Sequence, residues 1–252
     1  MVVGALTSFA ALLMALQSGH SVRYATLYSN CSLDGGPGVK ASGGAAIGAF
    51  TIAGEQLRFQ AHELISNYQS TSGDFVFDVV TTTLYPNGTS VIVASDVPAP
   101  DPNSGPPVYS ETFTCQLGSG IAFFASPHRP RALSSFDDVL KASQHGRTLR
   151  AVWRDRGRGS IEGIELQTFE SFFDPDPRRF GGTFLASGSS SLLQRPSDAQ
   201  WVVRQTEFKV LPQMNLTLTF SDLEPATLTR VAGSPAPFAC SPTDWTLFES
   251  TP

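Results

Sequence analysis

Residues 5–25, ALTSFAALLMALQSGHSVRYA, align without a gap on residues 132–152, ALSSFDDVLKASQHGRTLRAV, sharing Ala, Leu, Ser, Phe, Leu, Ala, Gln, Gly and Arg at nine of 21 positions. Average residue usage yields roughly one or two such matches. The likeness resumes downstream at a nearly constant offset: FVFDVVTTTLYP (75–86) lies over WVVRQTEFKVLP (201–212), and FTC (113–115) over FAC (238–240). Internal likeness is weighed before local features because it sets the architecture. It predicts two tandem copies of one unit, 1–127 and 128–252, joined where SPHRPR (126–131) offers two prolines and no apolar periodicity. The proline-rich VPAPDPNSGPP (97–107) falls inside the first copy and reads as a surface loop.

Each copy is expected to open on a helix. In the second, Phe136, Val139 and Leu140 recur at helical spacing after Ser134 or Ser135 as N-cap, Asp137 and Asp138 suit the helix dipole, and Gly146 stops the turn. In the first, Phe9, Leu12, Leu13 and Leu16 take the same face and Gly19 the same stop. Residues 1–19 therefore read as a folded amphipathic helix rather than a signal peptide, which their lack of a basic start also disfavours. Any targeting segment is then expected outside this sequence.

After each helix the apolar period changes from 3.6 to 2. Strands are expected over 22–28, 47–52, 57–62, 74–85, 89–95, 109–115 and 121–124, with Pro86-Asn87-Gly88 as a hairpin turn, and the second copy repeats the pattern from Leu149. Leu216, Leu218 and Phe220 alternate with Thr217 and Thr219, a strand with one wet face. The expected fold is mainly β with some helix (α+β): two tandem repeats, each an N-terminal helix plus an antiparallel β-meander forming a curled sheet or a half or complete barrel.

Composition bounds the function. The 252 residues are 41% apolar and 15% charged, enough to bury a core, so neither a disordered tail nor a disulfide-only miniprotein fits. A net charge of −5 argues against nucleic acid as a partner, and no run of 18 apolar residues offers a membrane span. The charge is unequal: residues 1–127 carry three basic residues against eight acids, whereas 128–252 carry fourteen of each. Eight of the latter basics, including Arg131, Arg147, Arg150, Arg154 and Arg156, fall between His128 and Ser160. Arginine's planar donors suit anionic groups, so this stretch is either an anion or partner patch or a set of ion pairs with acids of the first copy.

Three cysteines are present. Cys31 and Cys115 lie in the first copy, and Cys240 matches Cys115 but faces Arg158 where Cys31 would stand. A Cys31–Cys115 bond would pin the first strand to the end of its unit; three buried thiols in a cytosolic protein is the competing reading. Asn30, Asn87 and Asn215 open N-x-[S/T] sequons, acceptors of glycans on exported proteins. Together with the scarcity of lysine these features favour a secreted, extracellular protein.

Standard catalytic signatures are missing from the sequence: no G-x-S-x-G, phosphate loop, G-x-G-x-x-G, H-E-x-x-H or C-x-x-C occurs. No histidine pair has metal-ligand spacing, so neither a metal nor a cofactor is expected, and Asp101-Pro and Asp174-Pro-Asp176-Pro read as stiffened loops rather than calcium sites. His62, in LRFQAHE, is the candidate general base, with Glu63 or Asp78 to orient it and Arg150 or Arg154 to stabilise negative charge. The competing reading is a histidine that caps a turn. Phe59, Phe75, Phe77, Trp153 and Trp201 are mostly core and are the candidates to line an apolar cavity.

With the helix, GHSVRY (19–24), Cys31, AIGAFTI (46–52), LRFQAH (57–62), the PNGT hairpin (86–89) and FTC with GSGIAFF (113–124), the first copy resembles the VirK family of small secreted-type proteins. The likeness covers most of residues 5–125, and the second copy looks like a diverged member that lacks the first cysteine and the histidine. The resemblance implies an exported β module and carries over Cys31, His62 and Cys115; it implies no particular reaction. The leading expectation is a secreted β-barrel-like module that binds a small apolar or amphiphilic ligand, or a protein partner. The alternative is a cofactor-independent hydrolase, isomerase or oxygenase acting on a small planar organic substrate with His62 as base. An effector acting through an exposed apolar patch is a third class.

Overall fold

A computed structural model of the chain describes residues 4–66, 75–166, 170–172, 184–195, 197–232, 238–240 and 243–250. Two compact units are present, Met1–Pro127 with Arg158–Glu162, and His128–Gly157 with Gly163–Pro252.

The first unit opens on a strand, β1 (Gly4–Leu6), followed by helix α1 (Phe9–Gln17). Ser8 caps the helix, its Oγ accepting from the Ala11 N–H at 3.2 Å and so satisfying one of the donors a helix start leaves open. Leu12, Ala15 and Leu16 are buried, while Met14 is exposed. Next comes β2 (Val22–Leu27), whose residues alternate strictly between buried and exposed, as a half-buried strand requires. It lies in a four-stranded antiparallel sheet ordered β1–β11–β2–β5, where β5 is Ser42–Ala46 and β11 is Ile121–Ala125.

The other strands of this unit form a longer antiparallel run. Its order is β6 (Ala49–Ala53), β7 (Gln56–Ser66), β8 (Phe75–Leu84), β9 (Thr89–Pro98), β10 (Tyr109–Gln116), β3 (Ser32–Leu33) and β4 (Gly36–Pro37). The β8–β9 hairpin turns at Pro86-Asn87-Gly88: Gly88 takes φ +81°, which favours glycine, and the Asn87 Oδ1 accepts from the Thr89 N–H at 3.0 Å. Between the sheets the core is aromatic and aliphatic, with Tyr24, Phe59 and Phe123 ring centroids 5.1–6.4 Å apart. Cys31 and Cys115 form a disulfide. It adds one covalent rung to the two-residue pairing of Ser32 and Leu33 with Thr114 and Phe113. A side chain at Gly120 would place its Cβ 2.7 Å from the Cys31 sulfur, so only glycine lets the chain pass there.

The second unit also opens on a strand, β12 (Arg131–Leu133), before helix α2 (Phe136–Gln144). Here Ser135 caps the Asp138 N–H at 3.2 Å, and Phe136, Val139 and Ala142 turn inward. β13 (Thr148–Asp155) and β14 (Ser160–Leu166) follow; β12 and β13 both pair with β20 (Trp245–Ser250). A second antiparallel sheet runs β15 (Glu170–Phe172), β16 (Phe184–Gln194), β17 (Trp201–Val210), β18 (Leu216–Leu223), β19 (Phe238–Cys240). In β18, Leu216 and Leu218 are buried and Thr217 and Thr219 half-buried, as the alternation predicts, but Phe220 is half-buried as well, so the alternation fades at that end.

The architecture corrects the expected pair of helix-plus-meander barrels. Helix is confined, among the described residues, to two nine-residue α-helices and one short 3₁₀ turn, and each α-helix is preceded by a strand rather than standing first. Among the described residues no sheet closes, because closure needs the last strand of a meander to pair with its first. Instead β11 leaves β10 and sits between β1 and β2 in a separate sheet, which ends at β1 on one side and β5 on the other. Among the described residues no helix is long and apolar enough to cross a membrane.

The bond between Cys31 and Cys115 spans 84 residues of chain, and the loop-closure entropy it removes from the unfolded chain is worth about 4–5 kcal/mol. Cys240 is buried outside it. Denatured, unreduced protein is therefore expected to titrate one thiol with Ellman's reagent, and the Cys31→Ser/Cys115→Ser variant to lose about 2–5 kcal/mol in urea unfolding. Three titratable thiols would contradict the pairing.

Candidate functional site

The long ladders of β7 to β10 decide which side chains meet. Their registers run without interruption, so residues directly opposite one another share a face. One row reads Leu57, Leu84, Ser90, Cys115; the next reads Phe59, Thr82, Ile92, Phe113, and all eight residues are buried. The row beyond is small, Ala61, Val80 and Ala94 with Glu111 at its end. Last comes Glu63, Asp78, Asp96, Tyr109. On one face the sheet thus passes from dry core, through a hollow of small side chains, to three carboxylates abreast.

Opposite this face stand Tyr24 of β2, Tyr28 and the Val39–Ala45 segment, where Gly43 and Gly44 keep the wall thin. Between them lies a cleft of about 560 Å³, lined by Tyr24, Tyr28, Ala61, Val80, Ala94 and Phe113 and, towards the polar end, Glu63, Asp78, Asp96 and Tyr109. That volume suits a small organic molecule, for which pockets run roughly 300–1,000 Å³. Tyr28 stacks at a tilt on Phe113, centroids 4.5 Å apart. A side chain on Gly43 would press 3.4 Å from the Tyr28 ring.

Electrostatically the cleft is negative. Burial, then the charge of Glu63, raises the Asp78 carboxyl above its ordinary value; burial, then Asp78, does the same for Asp96. Burial, with Tyr28 and Asp78 nearby, pushes the Tyr24 phenol up to about 12. Tyr28 is raised by burial and by Asp78, and Tyr109 by burial and by the hydrogen bond its hydroxyl donates to Glu111. Asp96 is only 8% exposed.

The residues singled out from sequence are dispersed. His62 borders the cleft, yet it lies one position from Ala61 and Glu63 and so alternates to the opposite sheet face, with Val79 as its cross-strand neighbour. Partial burial pushes its pKa down, and no hydrogen bond from Glu63 or Asp78 orients the ring among the described residues. Arg150 belongs to the second unit, buried and held by Glu165 at 3.0 Å; burial lowers its pKa against the pull of that carboxylate. Arg154 is exposed in the same unit, and neither arginine lines the cleft. The surrounding basics pair within their own unit: Arg131 and Arg147 with Glu249, Arg156 with Asp244.

None of the five candidate aromatics lines the cleft either. Phe59 forms its buried underlay, against Tyr24 and Phe123. Phe75 is 53% exposed, and it shares with the half-buried Phe77 the sheet face away from Asp78. Trp153 packs edge-on against Phe208 in the second unit, and Trp201 is half-buried there. The residues that do build the cleft, Tyr24, Tyr28, Asp96 and Tyr109, were not singled out. A signal existed: counting outward from the Pro86-Asn87-Gly88 turn pairs Leu84 with Ser90 and therefore Asp78 with Asp96. Asn30, Asn87 and Asn215 are all exposed. Among the described residues no group of histidine, cysteine and carboxylate side chains is arranged to hold a metal.

A carboxyl whose folded pKa exceeds its unfolded value stabilises the fold fully below the unfolded value, 3.8, and loses that contribution as pH rises through the folded one. Asp96→Asn, which cannot ionise, is accordingly expected to melt about 2–4 °C above the parent at pH 7, with the gap closing below about pH 4. A variant less stable than the parent at pH 7 would show that the charge is already compensated.

No protein-family model matches the chain, and no curated protein does. Among solved structures it is similar to the crystal structure of a VirK family protein from Legionella pneumophila, at 19% identity and a TM-score of 0.43, over 49% of this chain and 99% of that one. Likeness over that share of the chain does not show a duplication.

Proposed function

We propose that the chain is an exported binding module whose first unit takes a small amphiphilic ligand in the cleft between β5 and the β7–β10 face. The observation that carries this reading is the graded row order of that face. Ala61, Val80 and Ala94 leave room above a floor of Phe59, Thr82, Ile92 and Phe113, while Glu63, Asp78, Asp96 and Tyr109 give one end polar character. A molecule with an apolar body and a polar end would bury surface against the first set and hydrogen-bond the second. The enzyme alternative draws less support, since His62 lacks an orienting carboxylate and Arg150 is committed to Glu165.

Export is supported by the disulfide, which persists in oxidising compartments, and by the exposure of all three sequon asparagines.

Ala94→Phe would fill the hollow with an aromatic ring while leaving the buried floor intact. Native mass spectrometry of protein purified from its source is expected to show a retained small molecule on the parent and none on this variant; equal retention on both would place the ligand elsewhere. Expression through a eukaryotic secretory pathway is expected to give a chain heavier than 26.9 kDa that peptide-N-glycosidase returns to that mass. An unmodified secreted chain would refute the glycosylation.

A further inference from the structure

Among the described residues the buried charges other than Asp96 are answered by opposite charges. Asp222, 1% exposed, accepts from Arg204 with both carboxylate oxygens at 2.8 and 3.0 Å. Arg150, equally buried, is met by Glu165. Such pairing is what a low-dielectric interior demands, because an isolated buried charge costs several kcal/mol.

Asp96 breaks the pattern. The residue is 8% exposed and lines the cleft, no side chain among the described residues is hydrogen-bonded or ion-paired to its carboxylate, and its oxygens are open to the cleft rather than sealed in the core. Its nearest charged neighbour across the strands is another carboxylate, Asp78, which in turn stands opposite Glu63. The remaining titratable groups of the lining are Tyr24, Tyr28, Tyr109 and the bordering His62, and no lysine or arginine lines the cleft. Of the three basic residues among 1–127, Arg58 is turned to Gln56 and neither Arg23 nor Lys40 is part of the lining. The three tyrosine rings offer faces that attract cations.

Resting on the ligand-binding reading above, we infer that the cleft's ligand carries a cationic nitrogen, ammonium or guanidinium, which the Glu63–Asp78–Asp96 row receives at hydrogen-bonding distance of Asp96 while an apolar stem lies over Ala61, Val80 and Ala94. The cation supplies a counter-charge that the described lining of the cleft does not hold. Either a free amphiphilic amine or the lysine or arginine side chain of a partner presents this chemistry, and the two share one recognition device.

The test compares decylamine, decanol and decanoic acid, one chain length with a positive, neutral or negative head at pH 7, each below its aggregation concentration. Acetyl-trilysine amide is a fourth probe, and titration calorimetry on the full chain reads all four. Charge-assisted hydrogen bonding predicts that decylammonium binds about tenfold or more tightly than decanol, with decanoate weakest. Asp96→Asn, whose fold is checked by its melting temperature, is expected to remove the preference, bringing decylamine binding down to the level of decanol. A free amine as the natural source gives this result with decylamine alone; a partner side chain gives Asp96-dependent binding of the trilysine peptide. Equal binding of all three decyl compounds, or a preference for decanoate, overturns the cationic inference and leaves the amphiphile reading standing. If no probe binds, both fall.

Discussion

An antiparallel ladder without a bulge allows its side chains no choice of face, and this constraint organises the first unit. Across β7, β8, β9 and β10 four successive rows are locked in register. The two inner rows are large and apolar enough to anchor the sheet, and their burial is what holds the outer rows open. Small residues in the third row then make a hollow with a firm floor. Three acids in the fourth are brought abreast although they come from three strands. Had any one strand slipped by a single residue, its acid would face the other way, so the hydrophobic pattern that stabilises the sheet also aligns the site.

The two units treat charge differently. In the second, arginines and carboxylates are matched within a few ångströms, from the exposed Arg131–Glu249 contact to the buried Arg204–Asp222 fork. The exposed pairs add little stability, and the buried ones mostly spare the interior an isolated charge. Over residues 1–127 acids outnumber bases eight to three, and three of those acids, Glu63, Asp78 and Asp96, stand together on one concave face. Burial, then the neighbouring carboxylate, raises the Asp78 and Asp96 carboxyls there.

Much of the local structure was legible. The period-2 runs at 22–28, 74–85 and 109–115 correspond to β2, β8 and β10, Ser135, one of the two cap candidates, caps its helix, and Cys31 with Cys115 is bonded. Closure and the place of the helices were not, because pairing partners are set by long-range edges. β1 is three residues long and its existence depends on β11, more than a hundred residues away. β5, SGGAA, has neither β-branched nor aromatic residues and is a strand only because β2 recruits it. The site was harder still. Histidine and arginine, the usual carriers of chemistry, stand at the border of the cleft or away from it, whereas Tyr24, Tyr28, Tyr109 and Asp96 reach it through strand register, which no local motif displays.

Tyr28 stands on the wall of the cleft just before Cys31, and Phe113 stands on its floor just before Cys115. The sulfur bridge is thus a clasp between the two sides of the site, next to a β3 ladder of only two rungs. Reducing agents would cut that clasp while leaving the ten-residue ladders of β7 and β8 untouched. Only in an oxidising setting does the chain hold the two walls of the cleft covalently; under reduction the short β3 ladder beside the bridge stands without its covalent rung.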